Sequence, residues 1–141
     1  MNAHKYLQRI KVLDTKIKNT EERIETLKAA ASGAGSIRYD KERVQTSMID
    51  SKLESLVLQY IELEDKVMQM KARKKHLIQT ALMQIDNLSS DKDQRILKMI
   101  YIDFMSYNKI ARYFDVSRWT IYRWRDEALE HFSDTNKDIV S

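Results

Sequence analysis

Between Ile49 and Leu77 an apolar residue returns at every seventh position: Ile49, Leu56, Leu63, Met70 and Leu77. Leu53, Tyr60, Val67 and Ala81 stand four positions after most of them. A repeat of seven places both sets on one narrow stripe of an α-helix, and such a stripe buries best against another helix. The pattern predicts a helix from about Lys41 to Leu88. No proline occurs in the 141 residues, and the only glycines are Gly33 and Gly35. A chain so poor in breakers is expected to be all-α. Charged residues make up 33% of it, which suits long solvated helices.

The first 31 residues carry a similar stripe at Tyr6, Ile10, Leu13, Ile17, Ile24, Leu27 and Ala31, with Thr20 as the weak member. Between the two stripes, residues 31–40 (ASGAGSIRYD) hold both glycines and two serines, so a loop is expected at about 32–40. No GK[ST] follows these glycines, so they are not a phosphate-cradling loop. Two helices joined by a short loop form an antiparallel hairpin most simply. Apolar edges left uncovered by two helices predict a homo-oligomer, with a dimer as the default from the prevalence of two-fold symmetry. The early outer face is basic, with Lys5, Arg9, Lys11, Lys16 and Lys18 against Asp14, and KARKKH (71–76) forms a second cluster. The first suits phosphate contact or plain solvation, and the second a nucleic-acid backbone, an acidic partner or plain solvation.

A hinge is expected at 86–93 (DNLSSDKD), with Ser90 and Asp93 spaced like a capping box. The helix after it, to about Phe104, would bury Ile96, Leu97, Ile100 and Phe104. Two short amphipathic patterns then meet at a turn around Asp115 within SYNKIARYFDVSRWTIYRWRDEALEHF (106–132). Ile110, Ala111, Phe114, Val116, Ile121 and Trp124 fall in the register of a helix-turn-helix, whose helices cross steeply over a few side chains. The second helix is expected to start at Ser117, whose hydroxyl can cap the first turn. From Val116 to Arg125 there is no acidic residue. A 3.6-residue period that turns Ile121 and Trp124 inward turns Arg118, Trp119, Tyr122 and Arg123 outward. Guanidinium forks match guanine acceptors, and apolar faces meet thymine methyls. Ser117, Arg118, Trp119, Tyr122 and Arg123 are therefore the candidates for base or groove contact. Tyr107, Asn108, Lys109, Arg112, Thr120 and Arg125 are the candidates for phosphate contact.

Residues from about Leu88 to Phe132 resemble region 4 of sigma-70-like factors, most closely phage late-transcription regulators of the ArpU and RinA type. The resemblance rests on QRILKMIYIDF, the Ile110-Ala111 pair, VSR at 116–118, and Ala128-Leu129 before Phe132. It implies a three-helix module whose last helix enters the major groove of a promoter, with RNA polymerase as a further partner. Two positions depart from that pattern: Asp115 stands where glycine is usual, and Lys109 where an acid often precedes the IA pair. The expected organisation is a helical hairpin over 1–88, a helix-turn-helix module over 89–133, and a flexible tail over 134–141.

Little in the chain points to catalysis. There is no nucleophile elbow, no HExxH and no Gly-rich phosphate loop before a helix. His4, His76 and His131 lack the spacing of metal ligands, no cysteine is present, and no cofactor is expected. No signal-peptide pattern or membrane-length apolar run is found, so the expected location is the cytoplasm of a bacterial host. The net charge of +4 is a mild pointer to nucleic acid. The expectation is a non-enzymatic, sequence-specific regulator that binds double-stranded DNA as a dimer. A DNA-packaging recognition subunit and a helical adaptor for another protein are the alternatives.

Overall fold

The computed structural model describes the backbone of residues 1–36 and 43–140 and the side chains of 1–33 and 48–139. The fold is all-α, and no strand occurs among the described residues. Its helices are α1 (Ala3–Ser36), α2 (Arg43–Asp86), α3 (Asp91–Leu97, prolonged by a π turn over Lys98–Ile102), α4 (Tyr107–Phe114), α5 (Arg118–Thr135) and α6 (Lys137–Val140). No described helix is long and apolar enough to cross a membrane.

The chain forms two compact units, Met1–Asp14 with Lys74–Ser141, and Thr15–Arg73. The second unit is an antiparallel hairpin, because Glu21 pairs with Lys71 at 3.1 Å and Lys28 with Glu64 at 3.6 Å. Ile17, Ile24, Ala31 and Val67 are buried along its seam. The heptad stripes thus close within one chain here. Leu53, Leu56, Tyr60, Leu63 and Met70 are only half-buried, as expected where two helices cannot surround a side chain.

The first unit departs from a boundary near residue 88. Both ends of the helical pair pack into the C-terminal module, and one core holds Tyr6, Leu7 and Ile10 of α1, Ala81 and Ile85 of α2, and Ile96, Ile110, Ile121 and Phe132. The Tyr6 and Phe132 rings lie 6.0 Å apart, and the Tyr6 hydroxyl donates to Gln84 Oε1 at 2.8 Å. His4 Nδ1 lies 2.6 Å from the hydroxyl of buried Tyr101, whose pKa burial pushes up. Lys74 reaches buried Asp14 at 2.8 Å, a pairing that keeps that carboxylate from being buried without a counter-charge.

Three local expectations need correction. α1 does not stop at Ala31 but runs through Gly33 to Ser36, since glycine in open space weakens a helix without blocking it; the rest of the expected loop lies outside the described residues. The helix after the hinge does not stay α-helical to Phe104. It widens into the π turn, which moves the inward position from Ile100 to buried Tyr101 and leaves Phe104 with a left-handed φ of 53°. Residues 134–140 are not an unstructured tail, because Asn136 is buried, donates from both its backbone and side-chain nitrogens to Phe132 O at 3.0 Å, and leads into α6. His131 Nδ1 lies 2.6 Å from Oδ2 of buried Asp93. Ser90 does cap α3, accepting from Asp93 N–H at 3.3 Å.

Leu7→Ala empties a site that is 1% exposed, and is expected to cost about 2–5 kcal/mol, the usual range for such a truncation. Urea unfolding should show this loss, and amide exchange in α5 should accelerate, although α5 begins far downstream of Leu7. The hydrogen bond to Asp93 raises the His131 pKa above its usual value. Stability from this pair is therefore full below about pH 6.5 and lost as pH rises through the raised pKa. His131→Gln should flatten that part of a melting-temperature-against-pH profile.

Candidate nucleic-acid interface

Ser106, in extended conformation, starts α4 by accepting from Lys109 N–H at 3.2 Å. The helix ends at Asp115, whose φ of 55° and ψ of 49° are left-handed. There the Val116 N–H returns to Ala111 O at 3.0 Å and the Asp115 N–H to Arg112 O at 3.3 Å, the paired closure of a Schellman motif. Asp tolerates this backbone better than most residues with a Cβ. Ser117 is again extended and starts α5, accepting from Thr120 N–H at 3.3 Å. Ile110, Ala111 and Ile121 are buried, while Phe114, Val116 and Trp124 pack partly buried against them. The Phe114 and Trp124 rings meet edge-on at 5.6 Å. This is the helix-turn-helix expected from the register.

The outer face of α5 separates free from occupied side chains. Arg118 and Arg123 are exposed, and neither has an ion-pair partner among the described residues. Trp119 is 73% exposed. Tyr122 is half-buried, its ring 4.7 Å from Tyr107 of α4 and 5.7 Å from Trp119, with the Arg118 guanidinium 5.9 Å from its centre. Arg125, a phosphate candidate by sequence, is held internally. It donates to the Tyr107 hydroxyl at 3.0 Å, pairs with Asp126 at 3.0 Å, and lies 5.4 Å from the Tyr122 ring. Burial opposes its charge, but hydrogen bonds with Tyr107 and Asp126 outweigh that and raise its pKa.

Tyr107 is thus a brace between α4 and α5, with Asn108, Lys109 and Arg112 exposed beside it. The Thr120 hydroxyl lies 3.1 Å from that of Ser117. Two further cations come from α3: Lys92 lies 4.5 Å from the Trp124 ring, and Arg95 donates to the exposed Tyr113 hydroxyl at 2.9 Å. Nothing in the local pattern of α3 signals these contacts, which depend on how it packs. No cluster of three metal-ligating side chains occurs among the described residues.

A family model described as "Protein of unknown function (DUF1492)" matches residues 35–133. The chain belongs to the DUF1492 family. No curated protein and no solved structure matches it.

The match takes in α2, α3, α4 and most of α5, so the helix-turn-helix and the helix before it are both DUF1492 features, whereas most of α1 lies outside the match. Within this DUF1492 chain the Asp115 turn sets how α5 is presented. Asp115→Gly removes the left-handed strain and is expected to stabilise the fold by up to about 1 kcal/mol. Asp115→Val should instead destabilise it, because a β-branched residue fits that backbone poorly. Thermal melting of the two variants checks both signs.

Proposed function

We propose that this chain is a sequence-specific, double-stranded DNA-binding transcription regulator, of phage or prophage origin, that acts in late-gene activation. It reads promoter DNA through the helix beginning at Ser117. The observation that carries the reading is the face of α5. Exposed Trp119 stands between two exposed arginines, Arg118 and Arg123, which have no ion-pair partner among the described residues, on a helix whose N-terminus is capped and which carries no carboxylate before Asp126. A tryptophan that exposed is unfavourable in water unless it meets a partner, and large apolar groups presented in this way mark binding surfaces. Two guanidinium forks beside it suit guanine edges in a major groove.

Asn108, Lys109 and Arg112 are assigned to the phosphates flanking that groove, and the α4 N-terminus adds its amides to them. Arg125 and Tyr107 hold α5 in place rather than contacting DNA. The sigma region-4 resemblance of residues 88–132 supports promoter DNA as the target and RNA polymerase as the neighbour. The protein acts as a dimer in the cytoplasm of a bacterial host, with half-sites one helical turn apart or a multiple of it.

The test is selection of duplex DNA from a random pool at two salt concentrations, run with wild type and Arg118→Ala/Arg123→Ala. A defined motif is expected for the wild type. The double variant should lose preference by about 1–3 kcal/mol for each bidentate contact removed. An unaltered motif in the double variant, or no duplex binding even at low salt, would sink the reading.

A further inference from the structure

The Thr15–Arg73 hairpin carries unlike charge along its two flanks. One groove is lined by Glu21, Glu22, Glu25 and Glu64, and the two lysines in it are both paired, Lys71 with Glu21 and Lys28 with Glu64. The other groove is lined by Lys16 and Arg23 of α1 and Lys66 and Arg73 of α2, above Leu63 and Met70, with no carboxylate. All four cations are exposed, and none has an ion-pair partner among the described residues. The nearby carboxylate of Asp65 is held by Gln69 Nε2 at 3.2 Å.

Spacing arranges these cations as a frame. Lys16 and Arg23 are seven residues apart, as are Lys66 and Arg73, which separates each pair by about 10 Å along its helix axis. In the antiparallel hairpin these two pairs face one groove, Lys16 and Arg23 from α1 and Lys66 and Arg73 from α2. Four other members of the basic clusters are engaged inside the protein. Lys74 holds Asp14, Lys71 holds Glu21, Arg9 stacks on Tyr6 at 4.1 Å, and Lys11 sits 4.6 Å from the Phe104 ring. Four like charges converging on one groove repel one another, and no carboxylate lines the groove to offset this. A plain solvated face has no such cost, as the mixed and paired charges of the other groove show.

From this we infer that the Lys16–Arg23–Lys66–Arg73 groove is a second nucleic-acid contact, which binds the phosphodiester backbone of duplex DNA without reading sequence. The inference rests on the reading of the chain as a DNA-binding protein. It adds a site outside the helix-turn-helix. Backbone contacts need charge and position only, and the guanidiniums and ammoniums supplied from two helices meet both needs. Each phosphate neutralised releases condensed counterions, so the groove has a signature of its own in the salt dependence of binding.

The experiment uses the full chain with Lys66→Ala/Arg73→Ala, titrated against the selected duplex and a scrambled duplex over a range of salt. The slope of log affinity against log salt should become shallower by about 0.9 for each phosphate that the variant no longer neutralises. Affinity should fall by the same factor on both duplexes, with the preference between them kept. Circular dichroism should show unchanged helix content and a melting temperature no lower than wild type, since the change relieves repulsion.

An unchanged slope with unchanged fold would overturn the inference, as would a change of oligomeric state in native mass spectrometry, which would make the groove a protein interface. The Arg118→Ala/Arg123→Ala variant separates the two sites. If it loses the motif while the hairpin variant binds as wild type does, the regulator reading stands and the groove does not. A shallower slope in the hairpin variant, with no motif for the wild type to select, would keep the groove and remove sequence-specific reading.

Discussion

The contact between Tyr6 and Phe132 joins the two ends of the chain, and the helix-turn-helix depends on it. Three short helices enclose too little apolar area to be stable alone, since small domains bury a smaller share of their surface. Here the first turns of α1 and the last turns of α2 supply what is missing. Phe132 is fully buried, Tyr6 covers it, and the Tyr6 hydroxyl finds an acceptor in Gln84, so the ring is buried without an orphaned polar group. The placement of α5 is therefore fixed partly by a residue at the opposite end of the chain. Removing the N-terminal turns would expose Ile85, Ile96 and Leu97 as well as the site that Tyr6 fills, because all of them share one core.

Much of this was legible in the sequence because it follows from local periods. The heptad stripes indicate two long helices and their antiparallel pairing. Ser90 and Ser117 are readable as caps, since capping needs only a hydroxyl and the amides two or three residues on. The helix-turn-helix follows from Ile110, Ala111 and Ile121, which are buried at the crossing. What escaped was non-local or depended on backbone energy. Leu7, buried beside the expected stripe, belongs to the contact with the C-terminal module and not to the hairpin seam. The π turn at Lys98–Ile102 has no local sequence signature, and the buried Tyr101 within it meets His4, a residue far away in the chain. Helix propensity places a stop near Gly33, yet a glycine costs only about 1 kcal/mol in a helix that its neighbours continue.

The candidate site was legible to the same degree. Arg118, Trp119 and Arg123 lie where the period puts them, on the open face of α5. Tyr122 is expected to face outward and instead lies half-buried between Tyr107 and Trp119. Arg125 cannot be told from its neighbours by composition. Its role comes from Tyr107, 18 residues away, and from Asp126, the first acid after the basic run. A period shows which way a side chain points from its helix, but not what the next helix places in front of it.

Under the proposed DNA-binding function, that distinction has a physical consequence. A guanidinium that reads bases must leave water and lose rotamer freedom on binding, and both costs are smaller when its helix is already rigid. Arg125 and Tyr107 lock α5 to α4 through a hydrogen bond and ring contacts in the free protein, and the Ser117 cap fixes the first turn. The residues ordered in advance are those that do not need to meet a ligand, and the exposed Arg118 and Arg123 stand on the element they hold. Pairing Arg118 or Arg123 with an acid would reduce charge repulsion on this face, but every such pair would have to break before binding. The acid-free run from Val116 to Arg125 avoids that competition, and Asp126 lies where it neutralises Arg125 instead of the exposed arginines. If α5 binds DNA as proposed, the arginine that sequence alone ranks with the others would contribute to affinity through the stiffness of α5, and the exposed pair through contact.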